Sequence, residues 1–216
     1  MNIYILVEGE GTERQAYRSW VNFVNPNLSY VSNLADLADN RYFIIAGFGY
    51  PNYLERIDNA IEDVNTNNIS RLVIAVDSEE ASYEEKYSEI SNHVTEHKCI
   101  ADVRIVIQHF CFETWALGNR RIIGTNIHNP LLREFINFYN VTSNDPELLP
   151  PYSGLNRAQF AFNYLNLALR NQYSRLIYSK RKPHPVCNLP YFQNVKRRLD
   201  ETGHIPSFRA FIDAFT

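Results

Sequence analysis

The first 110 residues alternate four times between a short apolar run and a longer segment with helical spacing, and no other feature constrains the fold as much. Ile3–Val7, Tyr42–Ala46, Arg71–Asp77 and Asp102–Phe110 read as strands rich in Ile, Val and aromatic residues. Thr12–Val24 carries Ala16, Trp20, Phe23 and Val24 at helical spacing, and Asn25-Pro26-Asn27 stops it. A second helix opens at Pro51, after Gly47 and Gly49, and presents Leu54, Ile57, Ile61 and Val64 on one face. A third spans Tyr83–His97. Residues 25–41 are polar and read as loop. Apolar strands between amphipathic helices bury both faces of a parallel sheet. Right-handed crossovers then place every strand C-terminus on one edge. The expected fold is α/β, with a four-stranded parallel sheet flanked by helices over residues 1–117.

After Phe110 the pattern becomes helical. Phe112–Gly118 and Pro130–Tyr139 read as short helices, and Asn156-Arg157-Ala158-Gln159 has the form of a capping box opening a long one. Leu189–Glu201 and Ser207–Phe215 follow, so residues 118–216 are predicted to form a mainly helical, basic C-terminal subdomain. The 13% aromatic content excludes a disordered chain. No apolar run approaches the roughly 20 residues that cross a bilayer, and the N-terminus lacks the basic region of a signal peptide. Three Cys without a CxxC pair argue against a disulfide framework or a Cys-rich zinc site. The expectation is a reduced, cytoplasmic protein.

Ligands of an open parallel sheet bind beyond the strand C-termini. This sequence places Glu8, Glu10 and Glu13 after the first strand, Asp77, Glu79 and Glu80 after the third, and His109 and Glu113 after the fourth. Carboxylates gathered on one edge repel, and burial penalises each charge further. A divalent cation relieves both costs, and hard oxygen ligands on rigid strand ends suit Mg2+ or Mn2+. Helix N-terminal acids are favoured by the macrodipole, which accounts for Glu13, Glu80, Glu84 and Glu85 but poorly for Glu8, directly after a buried strand. Gly9-Glu10-Gly11 is not a dinucleotide loop: Arg14 occupies the third glycine position and the flanking glutamates repel a pyrophosphate. His93-Val94-Thr95-Glu96-His97 matches an inverted zinc-protease motif, but so short a match on a crossover helix reads as surface histidine. Cys111 reads as a buried apolar residue.

The turn Leu6-Val7-Glu8-Gly9-Glu10-Gly11-Thr12-Glu13, followed after an apolar strand by Asp77-Ser78-Glu79, resembles the TOPRIM (topoisomerase–primase) domain. It is most similar to small stand-alone members of the RloB kind, and more distantly to OLD-family nucleases. Cys111-Phe112-Glu113-Thr114-Trp115 and, more loosely, His204-Ile205-Pro206-Ser207-Phe208 add to the likeness, which covers residues 1–117. Two departures stand out: the glutamate–glycine turn is one residue longer than the common form, and the acidic pair is Asp-Ser-Glu instead of Asp-x-Asp. The resemblance implies a TOPRIM-like Rossmannoid fold and a metal-dependent nuclease acting on DNA or RNA. It makes Glu8, Asp77 and Glu79 catalytic, and Glu8, Asp77, Glu79 and Glu113 the ligands of Mg2+ or Mn2+. Such nucleases act in prokaryotic and phage defence, often beside a partner ATPase. No topoisomerase tyrosine, motor or primase module is visible, so hydrolysis fits better than strand passage.

The net charge of −3 hides an asymmetry. Residues 1–108 hold 8 basic and 17 acidic side chains, whereas residues 155–200 hold nine basic and one acidic. Lys180, Arg181, Lys182, Lys196, Arg197 and Arg198 are the candidate nucleic-acid contacts, with Tyr173, Tyr178, Tyr191 and Phe192 interleaved to stack on bases. The competing readings are a non-catalytic TOPRIM-like module that binds nucleic acid or an ATPase, and a phosphatase-like or nucleotide-processing enzyme. Convergence of Glu8, Asp77 and Glu79 separates the first of these from a nuclease, and a small closed pocket would favour the second.

Overall fold

The expected strands form in a computed structural model, which describes residues 1–47, 52–173 and 176–216. They are β1 (Ile3–Val7), β3 (Arg41–Ala46), β4 (Arg71–Asp77) and β5 (Asp102–Gln108), with β2 (Ser29–Val31) as a fifth. The sheet is wholly parallel, in the order β2-β3-β1-β4-β5. Five strands replace the four expected. The added one lies in the segment read as loop, is three residues long, pairs only with β3 and is at most half-buried, so it carries no apolar run. The remainder of that segment includes a 3-10 turn at Leu34–Asp36.

Helix α1 spans Thr12–Val24, the range its spacing predicts. Helix α2 covers Asn52–Thr66 and α3 Tyr83–Glu96; Gly49 and Pro51 lie outside the described residues. The C-terminal half supplies α4 (Phe112–Ala116), α5 (Pro130–Phe138), α6 (Arg157–Gln172), α7 (Leu189–Thr202) and α8 (Phe208–Ala214). The Asn156–Gln159 capping box closes reciprocally at the start of α6.

Strand alternation divides the core into two layers. Tyr4, Leu6, Leu72, Ile74 and Val76 face α2 and α3. Ile3, Ile5, Val7, Val73 and Ala75 face α1 and the C-terminal helices. Trp20 is fully buried among Phe112, Phe192, Phe208 and Phe211, with ring centroids 4.9–6.1 Å away, and its indole nitrogen donates to the Val186 carbonyl at 3.0 Å. Residues 118–216 are mainly helical, and their apolar side chains share this core with the sheet face instead of building one of their own. The consequence for the site is direct: Glu113, Tyr178 and Lys180 of the C-terminal half lie beside the edge where β1 and β4 end.

Candidate functional site

The register puts Val7 of β1 beside Ala75 of β4, and Asp77 beside Gln108 of β5. Glu8 and Asp77 are therefore neighbours on adjoining strand ends. The Glu8 carboxylate accepts a hydrogen bond from the Asp77 backbone N–H at 3.0 Å. Glu13, in the first turn of α1, folds back so that its carboxylate accepts from the Gly9 N–H. Glu113, in α4, accepts from the Tyr178 hydroxyl at 2.8 Å. Glu13 and Glu113 are both buried.

These four carboxylates sense one another. Burial raises Glu13 to about 7, and the charges of Glu113 and Glu8 push the same way. Asp77 lies well above the ordinary aspartate range through burial, reinforced by Glu13, Glu8 and Glu113. Burial also raises Glu8, against the Asp77 N–H and with the charge of Glu79. Asp77 Oδ1 is buried without a hydrogen-bond partner, as are the Tyr17 hydroxyl and the side-chain amide of Gln108, the β5 residue paired with Asp77. Buried polar atoms are almost always satisfied by protein, water or an ion. An unpartnered carboxylate oxygen within a like-charged cluster suits a hard cation.

Lys86 and Lys180 both bring positive charge to bear on Glu8, and Lys180 reaches furthest into the cluster. Lys180 sits on the turn Ser179–Lys182, whose ends pair through backbone hydrogen bonds. Burial alone would lower its ammonium, but Glu113, Asp77 and Glu13 outweigh that and raise it. Two glycines make the arrangement possible. A Cβ at Gly9 would collide with the Glu13 carboxylate, and one at Gly11 with the Lys180 carbonyl. That carbonyl also accepts from Thr12 Oγ1 at 3.1 Å. The glycine-spaced turn is thus a docking surface for a C-terminal segment. Lys180 lines a cavity of about 600 Å3 with Glu79, Glu113 and Asn163. Arg181 lines another of about 530 Å3 with Glu10, Arg14, Arg18 and Tyr30.

Glu79 is exposed, with left-handed backbone (φ 50°), at the rim beside Glu8 instead of inside the cluster. Glu13, which the macrodipole alone seemed to explain, lies inside. Glu80 is taken up by α6, where the Arg157 guanidinium and N–H both reach it. His109 bonds Ser78 Oγ at 2.9 Å, and Cys111 is buried with its thiol held up by burial.

The basic clusters part company. Lys180, Arg181 and Lys182 share the docked, exposed turn. Lys196 pairs with Asp200 at 2.6 Å, and Arg197 lines a separate cavity with Arg120 and Arg121. Arg198 borders that same cavity but is 1% exposed, its guanidinium taken up inside the protein. It donates to the carbonyls of Thr142 and Asn144, at 3.3 and 2.8 Å, and to His204. Burial, then the charge of Arg120, lowers it to about 10. Arg198→Ala is therefore expected to destabilise by about 3 kcal/mol, since it strands two carbonyls and opens a cavity. Denaturant unfolding reads that loss, with nucleic-acid affinity of the folded variant unchanged. Tyr178, Tyr191 and Phe192 are likewise buried in the core and unable to stack on bases; Tyr173 is exposed.

Glu147 is a second kind of buried acid, held by the Ser207 N–H and hydroxyl while Trp115 donates to the same hydroxyl at 2.7 Å. Burial raises it from 4.5 to about 7, against those hydrogen bonds. A raised acid keeps its proton longer in the folded state, so stability falls as pH rises from 4.5 through about 7. Glu147→Gln should recover up to about 3 kcal/mol at pH 8, roughly 6–12 °C in Tm, and almost nothing at pH 4. Thermal melts at the two pH values check it.

Among the described residues, the group of His, Cys, Asp or Glu side chains whose ligand atoms all lie within 4.8 Å of one another is Asp58, His93 and His97, not Glu8, Asp77 and Glu79. The strand-end carboxylates form an open basin. Mg2+ suits such a basin because it is commonly held by one or two carboxylates and keeps several waters. No helix among the described residues is long and apolar enough to cross a membrane. No protein-family model, curated protein or solved structure matches this chain.

Proposed function

We propose that this chain is a metal-dependent nuclease that hydrolyses phosphodiester bonds of DNA or RNA, on a TOPRIM-like fold. The observation that carries this reading is Asp77 Oδ1, buried and unpartnered at a sheet edge where the charges of Glu8, Glu13 and Glu113 act on Asp77, although no three of these carboxylates have ligand atoms within 4.8 Å of one another. Asp77 with Glu8 or Glu113 would hold Mg2+ or Mn2+ alongside retained waters, with Glu79 at the rim. Such an ion lowers the pKa of bound water and offsets charge on a phosphate. The protein's own groups do the rest. Lys180 brings positive charge to the rim of an otherwise anionic basin. Arg14, Arg18 and Arg181 line the adjoining groove, where guanidinium groups suit phosphate oxygens. A polyanion held there stays close to carboxylates that would otherwise repel it. A defence role, a partner ATPase and a cytoplasmic location belong to the same proposal; the free thiols of Cys99, Cys111 and Cys187 accord with a reducing compartment.

The open spacing of the carboxylates favours the second reading, a non-catalytic module that binds nucleic acid or a partner ATPase. Incubating plasmid, single-stranded DNA and tRNA with the protein in Mg2+, Mn2+ or EDTA separates the two. The nuclease reading expects metal-dependent cleavage of at least one substrate, lost in Glu8→Ala. Binding without cleavage in either metal would support the module instead. Cleavage that persists in Glu8→Ala would remove this site from the reaction.

A further inference from the structure

Outside the strand-end basin, α2 and α3 carry a second cluster of quite different chemistry. His93 lies in the last turn of α3 and His97, one turn further, caps its C-terminus, while Asp58 faces them from α2. His93 Nε2 is 2.6 Å from Asp58 Oδ1, and His97 Nε2 is 3.2 Å from the same oxygen. The ring centroids of the two histidines are 4.5 Å apart. Three ligand atoms, two imidazole nitrogens and one carboxylate oxygen, thus lie within 4.8 Å of one another.

The hydrogen bonding gives the trio a direction. His97 Nδ1 lies 2.7 Å from the His93 carbonyl, which can only accept, so Nδ1 carries the proton. In the neutral ring the lone pair is then on Nε2, the atom turned toward Asp58. The same Nε2 either donates to the Asp58 carboxylate in an ion pair or, with its lone pair free, serves beside that carboxylate as a ligand. Metal-bound histidines commonly hold their other nitrogen on a backbone carbonyl in this way.

We propose that Asp58, His93 and His97 bind a borderline transition-metal ion, Zn2+ being the representative. Two imidazoles with one carboxylate select against Mg2+, which prefers an all-oxygen shell, and three protein ligands leave a coordination position for water. The location separates this site from the basin. Helix α3 starts just beyond the end of β4, and His93 lies ten residues along it, about 15 Å at 1.5 Å per residue. The bound ion would clip α3 to α2 on the sheet face opposite α1. Glu96, the acid of the inverted protease motif, is exposed and outside the trio. The ion is therefore assigned a clamping role and no proteolysis.

Tag-free protein stripped with EDTA and titrated with Co2+ tests the site, since bound Co2+ gives visible d–d absorption that Zn2+ then abolishes. The expected result, in millimolar Mg2+ to occupy the strand-end basin, is one Co2+ per chain. Affinity should fall at least ~10-fold in His93→Ala, His97→Ala and Asp58→Asn, and survive millimolar Mg2+. Far-UV circular dichroism of the metal-free variants confirms folding, and Asp58→Asn preserves shape should either alanine variant unfold. Absence of saturable binding, or equal binding in the folded ligand variants, would overturn the proposal and leave an ion pair alone.

Discussion

Asp77→Asn is expected to abolish metal-dependent cleavage while making the metal-free protein more stable. Asparagine keeps the volume and a carbonyl oxygen but removes one charge from a cluster in which Glu13, Glu8 and Glu113 all oppose ionisation of Asp77. The sign follows from its raised pKa. The ionised form is penalised in the folded state, so the cost of Asp77 grows as pH rises above the unfolded aspartate value. In EDTA at pH 8 the variant should melt at least ~2 °C above wild type, and at pH 4 the two should coincide. Mg2+ should raise the Tm of wild type more than that of the variant. Cleavage should drop on the order of 100-fold or more, the loss seen when a preorganised electrostatic partner is removed. A variant that is less stable at pH 8, or cuts at the wild-type rate, would take Asp77 out of the site.

Among the described glycines, Gly11→Ala should be the most damaging, because its added methyl group approaches backbone most closely. Its Cβ would strike the Lys180 carbonyl, which is backbone and cannot swing aside as a side-chain tip would. The Ser179–Lys182 turn must then lift, breaking the Thr12 contact and carrying Lys180 and Arg181 away from the acidic edge. Overpacking of this kind costs about 1–3 kcal/mol. The specific signature is local: faster hydrogen exchange in residues 176–182, weaker nucleic-acid binding and a shallower salt dependence, because fewer phosphate contacts release fewer counterions. A Tm loss without change at that turn would mean the methyl group is accommodated elsewhere.

The parts of the molecule legible in the sequence are those set by local pattern. Ile3–Val7 and Arg71–Asp77 could be read because both faces of each strand are buried, and Asn25-Pro26 ends α1 where the periodicity ends. Glu8 and Asp77 could be placed because a strand end fixes a position without tertiary knowledge. Glu13 escaped because an acid in a first helical turn has an ordinary explanation, and its burial is imposed by chain as distant as Glu113 and Lys180. The basic stretch misled for a related reason. Charge counting cannot tell Lys180, which reaches the site, from Arg198, which holds carbonyls inside the core. Two members of the trio, His93 and His97, were visible as a one-turn spacing, but Asp58 is 35 residues from His93 with no local signal joining them.

Mn2+ electron paramagnetic resonance on the stripped protein tests the central claim most directly, because free Mn2+ gives a sharp signal that broadens on binding. A basin built from Glu8, Glu13, Asp77 and Glu113 predicts saturable Mn2+ binding that Mg2+ competes away, is lost in Asp77→Asn, and persists when His93 and His97 are both changed to Ala. No binding by wild type, or binding that survives Asp77→Asn, would contradict a metal site at the strand ends.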